Sequence, residues 1–145
     1  MNANDVARTI VTAQPDALVV SSLGTATSAL RLVSDDGPHF YFGAAMGSAL
    51  AGALGAAEGA PGRRVVALLG DGDFLMGASS LWSLAALRPA GLSVVVLADG
   101  AYSITGGQPL PGDLGLARVA DAMDGLRGFV VESVEALDRA LREAD

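Results

Sequence analysis

Two carboxylates set among glycines carry the strongest chemical signal in this sequence. Asp71 stands between Gly70 and Gly72, and Asp99 is followed by Gly100 and Ala101, with residues 73–97 between the two turns. Glycine leaves backbone N–H and C=O groups open to close approach, and an aspartate beside it offers hard oxygens. Such a pair suits a divalent cation that holds a phosphorylated ligand. Either aspartate taken singly reads as a turn or cap residue; a shared location is what makes them a candidate site.

The segments around them supply that location. Val65–Leu69 is an unbroken apolar run of strand length, Phe74–Leu87 carries a helical pattern, and Leu92–Leu97 is a second apolar run. A strand–helix–strand unit of this kind has parallel strands, so both polar turns fall at the carboxyl edge of one sheet, where open α/β folds bind ligands. Elsewhere the pattern predicts a helix over 5–13, a strand over 17–21, a turn and helix over 24–33 and a short strand over 39–42. A helix of small residues is predicted over 43–59, with Gly43, Gly47, Ala51, Gly55 and Gly59 on one face. Asp113 is read as capping a helix that runs to Met123, 129–131 as a last strand, and Ser133 as the cap of a final helix. Strands alternating with helices predict a three-layer α/β/α sandwich with a mainly parallel sheet.

Composition narrows the chemistry. At 145 residues the chain reads as one domain over 1–145. A net charge of −7 and no basic cluster beyond Arg63-Arg64 argue against nucleic acid or an anionic membrane as partner. The small-residue stretch near 43–59 is too short for a membrane span. Cysteine is absent, which removes thiol nucleophiles, disulfides and zinc–thiolate sites. Lysine is absent too, which removes a Schiff-base lysine and disfavours receiver-like or phosphatase-like phosphoacceptor sites. The first sixteen residues show no apolar leader core, so the expected compartment is the cytoplasm. His39, the sole histidine, reads as structural at a strand start.

Gly70-Asp71-Gly72, the spacer and Asp99, with the tail Gly100-Ala101-Tyr102 and Thr105-Gly106-Gly107-Gln108, resemble the diphosphate-binding domain of thiamine diphosphate enzymes. Within them the tail looks most like the sulfopyruvate decarboxylase beta subunits and phosphonopyruvate decarboxylases. The resemblance implies the thiamine diphosphate-binding fold, and Mg²⁺ held by the side chains of Asp71 and Asp99 and the Ala101 carbonyl. It implies cofactor contacts from Ala44, Met46, Gly70, Asp71, Gly72, Asp73, Ala101, Tyr102 and Ile104, with Met46 as the apolar wedge and the Ala44 carbonyl accepting from the aminopyrimidine. Gly24, Thr25, Thr105 and Gln108 fall at positions near the substrate.

The implied activity is decarboxylation of a 2-oxo acid; carboligation of the acetolactate synthase type and a non-catalytic cofactor-binding paralogue are the alternatives. The activating glutamate of such enzymes sits on a separate pyrimidine-binding domain. This chain is therefore expected to be a beta-type subunit, joined to an alpha subunit as two of each. Three positions depart from the pattern: Asp99 stands where Asn is usual, Ala98 replaces the preceding Asn, and Asp73 replaces a Ser. The two aspartates add negative charge beside the expected metal, so the Asp73 side chain is expected to turn away or be screened.

Overall fold

A computed structural model describes residues 1–144. Its central sheet has four parallel strands, β1 (Leu18–Ser21), β2 (His39–Tyr41), β3 (Val65–Gly70) and β4 (Leu92–Leu97), in the order β2-β1-β3-β4. Val65 to Leu69 are fully buried, as a strand covered on both faces demands, and this is why the segment is an unbroken apolar run. The β3–β4 register pairs Val65 with Leu92 and Gly70 with Leu97. Both strands therefore end level, and the two aspartate turns leave the sheet side by side.

Helices cover both faces. Val66 and Leu68 point to a layer formed by α1 (Ala3–Ala13), α2 (Thr25–Val33) and α7 (Val134–Glu143), in which Ile10, Leu30 and Leu137 are buried. Val65, Ala67 and Leu69 point to the other layer, from α3 (Ala49–Gly59), α4 (Asp71–Met76) and α5 (Ser80–Leu87). This is the expected three-layer sandwich. α1 starts earlier than its periodicity predicts because Asn2 and Asp5 cap each other's amides, at 3.0 and 2.9 Å. The Ser133 hydroxyl caps α7 by accepting from the Ala136 amide at 3.2 Å.

Four predicted elements differ. The helix over 43–59 begins only at Ala49, because Gly47 takes a left-handed φ of 86° and its amide is bonded outside the helix. The small-residue face is thus reduced to Ala51, Gly55 and Gly59, all exposed. The helix over 74–87 starts at Asp71 and is broken after Met76. There Gly77 lies so close to the loop at Gly47 that a Cβ would overlap the Gly47 carbonyl. Asp113 accepts from the Gly115 amide at 2.8 Å, and α6 spans only Leu116–Asp121. No strand forms at 129–131 among the described residues; Gly128 is held to Asp121 by a 2.8 Å hydrogen bond, and Phe129 and Val130 are exposed. An unpredicted antiparallel hairpin, β5 (Ala101–Tyr102) with β6 (Gln108–Pro109), follows the Asp99 turn. No helix among the described residues is long and apolar enough to cross a membrane.

A buried polar network fixes the end of β3. The Ser22 hydroxyl accepts from the Gly70 amide at 3.1 Å. Thr27 gives its one hydroxyl proton to the Ser22 carbonyl at 2.7 Å, so the Ser21 hydroxyl, also 2.7 Å away, donates to Thr27. β1, α2 and β3 are thereby locked together one residue before Asp71. Ser22→Ala, which strands the Gly70 amide, is expected to cost about 1–3 kcal/mol in urea denaturation. The exposed Ser28→Ala on α2 is expected to stay within about 0.5 kcal/mol.

Candidate functional site

Asp71 opens α4 directly at the end of β3 and is only 4% exposed. Its Oδ1 accepts from the Gly72 amide and its Oδ2 from the Gly100 amide, both at 2.8 Å. The second bond joins the two turns, which confirms in space what the strand pairing requires. No arginine or histidine pairs with Asp71 among the described residues. A buried carboxylate with two neutral donors and no cation is incompletely compensated, and its remaining lone pairs are free to bind one.

Asp99 is exposed and holds its own turn. Oδ1 accepts from the Ala101 amide at 3.1 Å and Oδ2 from the Ser103 hydroxyl at 2.6 Å. In the hairpin the Leu110 amide donates to the Gly100 carbonyl at 2.8 Å, which puts the next pair, Ala101 and Pro109, at a non-hydrogen-bonded position. The Ala101 carbonyl is therefore left out of the ladder, on the side of the strand where its amide meets Asp99. No three His, Asp or Glu side chains converge among the described residues. A cation here would take two carboxylates, this carbonyl and oxygens from a ligand or water, a donor set suited to Mg²⁺.

Asp73 is buried at 5% exposure, and its Oδ1 accepts from the Gly47 amide at 2.9 Å. Oδ2 is buried with no partner among the described residues. Burial pushes this carboxyl above its ordinary pKa, only partly offset by the Gly47 amide. Gly72 is needed as glycine, because a Cβ would lie 2.7 Å from the Tyr102 ring and 3.5 Å from the Met46 methyl. Gly24, at the start of α2 with φ 77°, is covered by Ile104, whose Cγ2 would lie 3.0 Å from a Cβ there.

These residues wall one cavity at the carboxyl edge. It brings together Gly24, Thr25, Met46, Gly70, Asp71, Gly72, Asp73, Asp99, Ala101, Tyr102, Ile104 and Thr105. Ala44 and Gln108, also singled out from the sequence, lie outside its wall. Ala44 is exposed, and Gln108 is spent on Thr105, accepting from its hydroxyl at 3.1 Å and donating to its carbonyl at 3.0 Å. The Gly72 amide, which the resemblance gives to the ligand, is taken by Asp71; the Asp73 amide remains in the first helical turn, where donors lack intrahelical partners.

Sequence reasoning missed Ser22 and Ser103. Ser103 stands four residues after Asp99, a spacing an Asx-type turn could have suggested; Ser22 carries no local signal. His39 lies at the amino end of β2, away from this edge. It is bonded to the Ser34 hydroxyl at 3.2 Å, and burial lowers its pKa. A wider depression around Gln14, Arg63 and Arg64 lies at the opposite, amino edge and includes none of the residues singled out.

Residues 22–145 match the family model of the thiamine pyrophosphate enzyme C-terminal TPP binding domain. The chain is 38% identical over 130 residues to a phosphonopyruvate decarboxylase of Streptomyces viridochromogenes, covering 89% of this chain and 32% of that protein. It is 38% identical over 109 residues to the sulfopyruvate decarboxylase subunit beta of Methanothermobacter thermautotrophicus, covering 74% of this chain and 58% of the subunit. The chain thus spans about a third of the first relative and under two thirds of the second. Among solved structures, the thiamine diphosphate-dependent 4-hydroxybenzoylformate decarboxylase of Rhodococcus jostii RHA1 superposes with a TM-score of 0.84 at 25% identity, over 99% of this chain and 30% of that one. Fold and sequence agree: the chain belongs to the family of thiamine pyrophosphate enzyme C-terminal TPP binding domains.

Proposed function

We propose that this chain is the diphosphate-binding half of a thiamine diphosphate- and Mg²⁺-dependent 2-oxo acid decarboxylase, a beta-type subunit that works with a pyrimidine-binding alpha subunit. The observation that carries this reading is the buried Asp71 carboxylate, bonded to the Gly100 amide beside Asp99 and the unclaimed Ala101 carbonyl. The residues present fit the group, since a diphosphate needs a cation and backbone donors to leave water. Asp71, Asp99 and the Ala101 carbonyl would hold Mg²⁺. When bound, thiamine diphosphate supplies the electron sink for loss of CO₂ from a 2-oxo acid. Gly72 and Tyr102 would wall that cofactor, and Met46 and Ile104 would add apolar surface beside it. Thr25 offers a hydroxyl to the substrate, whereas the Thr105 hydroxyl proton is given to Gln108.

Two features support a second subunit. None of the four glutamates, Glu58, Glu132, Glu135 and Glu143, lines the cavity, which supports an activating carboxylate supplied by a partner. The charged residues of the wall are Asp71, Asp73 and Asp99, without one base among them. A partner would then supply the cationic group for an anionic substrate such as a sulfonated or phosphonated pyruvate. The similarity to a separately named beta subunit agrees with this division.

Asp71→Ala is expected to abolish Mg²⁺-dependent binding of thiamine diphosphate by the assembled protein in calorimetry; unchanged affinity removes the metal reading. Asp99→Asn takes one negative charge from the metal shell, which weakens attraction for a cation and repulsion of the diphosphate. That variant is expected to keep or tighten cofactor binding while binding Mg²⁺ more weakly without cofactor. Complete loss of cofactor binding would show that the site is built around the extra charge. For the assembly, light scattering and CO₂ release from 2-oxo acids are measured for this chain alone and with its candidate alpha subunit. The expected result is a complex of two of each that alone is active, and robust decarboxylation by the isolated chain would overturn the divided site.

A further inference from the structure

We propose that Asp73 is a positioning residue that clamps the loop carrying Met46 to the Gly70–Gly72 turn, fixing the distance between the two parts of the cavity that flank the ends of the cofactor. The proposal rests on reading the cavity as a thiamine diphosphate site. Asp73 directly follows the turn, and its Oδ1 takes the Gly47 amide at 2.9 Å from a loop 26 residues away in sequence. Gly47 can present that amide because its φ of 86° turns the chain out of the helical path that its small neighbours favour. Its carbonyl is seated against Gly77, where any side chain would collide. α4 thus grips both sides of the Gly47 residue, with Asp73 near its start and Gly77 just past its end. Met46, one residue before, reaches back so that its methyl lies 3.5 Å from where a Gly72 Cβ would be.

The side-chain type matters. Asp73 spans from helix to loop, whereas a serine, the residue the resemblance leads one to expect, is an atom shorter and would leave the Gly47 amide unclaimed. The carboxylate also leaves Oδ2 buried without a partner, a cost in stability that the fold alone does not require. One carboxylate oxygen is committed to the loop. Asp73 therefore replaces a possible direct diphosphate contact with a fixed seat for the apolar wedge.

The test compares the full chain, assembled with its candidate alpha subunit, with Asp73→Ala, Asp73→Ser and Asp73→Asn by hydrogen exchange at Gly47 and by affinity for two probes, thiamine diphosphate and inorganic diphosphate, each with Mg²⁺. Loss of one charge-assisted hydrogen bond should speed Gly47 exchange about tenfold in the Ala and Ser variants and weaken thiamine diphosphate by about the same factor. Inorganic diphosphate, which touches only the turn, should keep its affinity, and Asp73→Asn, which retains an acceptor, should resemble the wild type. Ser stands in for Ala if the latter does not fold. Unchanged Gly47 exchange overturns the clamp, and so does an equal change in affinity for both probes. If Gly47 exchange responds but the wild type binds neither probe, the clamp stands and the cofactor reading falls.

Discussion

The Asp71 carboxylate bridges two chain turns that the sheet sets side by side. Its bonds to the Gly72 and Gly100 amides depend on β3 and β4 ending level, and this depends in turn on the Gly70–Leu97 pairing. A slip of one residue in a parallel pair would reverse which side chains of β4 face α3 and α5, and would carry Gly100 away from Asp71. The fully buried β3 enforces the register, since Val65, Ala67 and Leu69 fill one helical layer while Val66 and Leu68 fill the other. Ser22, bonded to Gly70, anchors the strand end from the opposite side. Packing in the sheet and geometry at the cavity are therefore one constraint.

Much of this was legible before any coordinates. β3 and β4 announce themselves as apolar runs bounded by glycine, and parallel connection then places Asp71 beside the Asp99 turn without further information. The spacing of the motif carried the family, and the cavity gathers most of the residues it implied. The reading failed where a tertiary contact overrode a local pattern. Residues 43–48 have the small-residue periodicity of a helix, yet the Gly47 amide gains a buried carboxylate and the Gly47 carbonyl a glycine neighbour. Neither partner is near in sequence, so no window around Gly47 could reveal them. The break after Met76 is the other half of that contact. At 129–131 the three apolar residues suggested a strand, but the hydrogen bond from Gly128 to Asp121 commits the approach to α6 instead.

Hydrogen bonding also explains why Gln108 leaves the cavity. Gln108 and Thr105 satisfy each other across the hairpin tip, and the Thr105 and Gly107 amides both reach the Tyr102 carbonyl, at 3.2 and 3.1 Å. That self-contained tip holds Tyr102 against Gly72 and Ile104 over Gly24. The glutamine therefore acts on the cavity through the shape of the loop. The glycines are equally specific in purpose: at Gly24 and Gly72 a methyl group would meet Ile104 and Tyr102, so the wall is shaped by what the backbone omits.

The charges at the cavity set an order on binding. Asp71 and Asp99 border it without a basic neighbour in the wall, and the chain as a whole carries −7. A free diphosphate approaching that surface meets repulsion, strengthened by the low dielectric around buried Asp71. A divalent cation meets attraction from both aspartates and a carbonyl left out of the hairpin ladder. On the proposed reading, then, the anion arrives with its metal or after it, and the extra carboxylate at Asp99 sharpens that order by favouring the cation at the expense of the bare diphosphate. Asp73 does not add to this conflict in the same way, because its Oδ1 is turned to the Gly47 amide. On the proposed reading, two departures from the family pattern that look alike in sequence act differently: Asp99 would alter the field at a bound metal, and Asp73 shapes the loop that faces it.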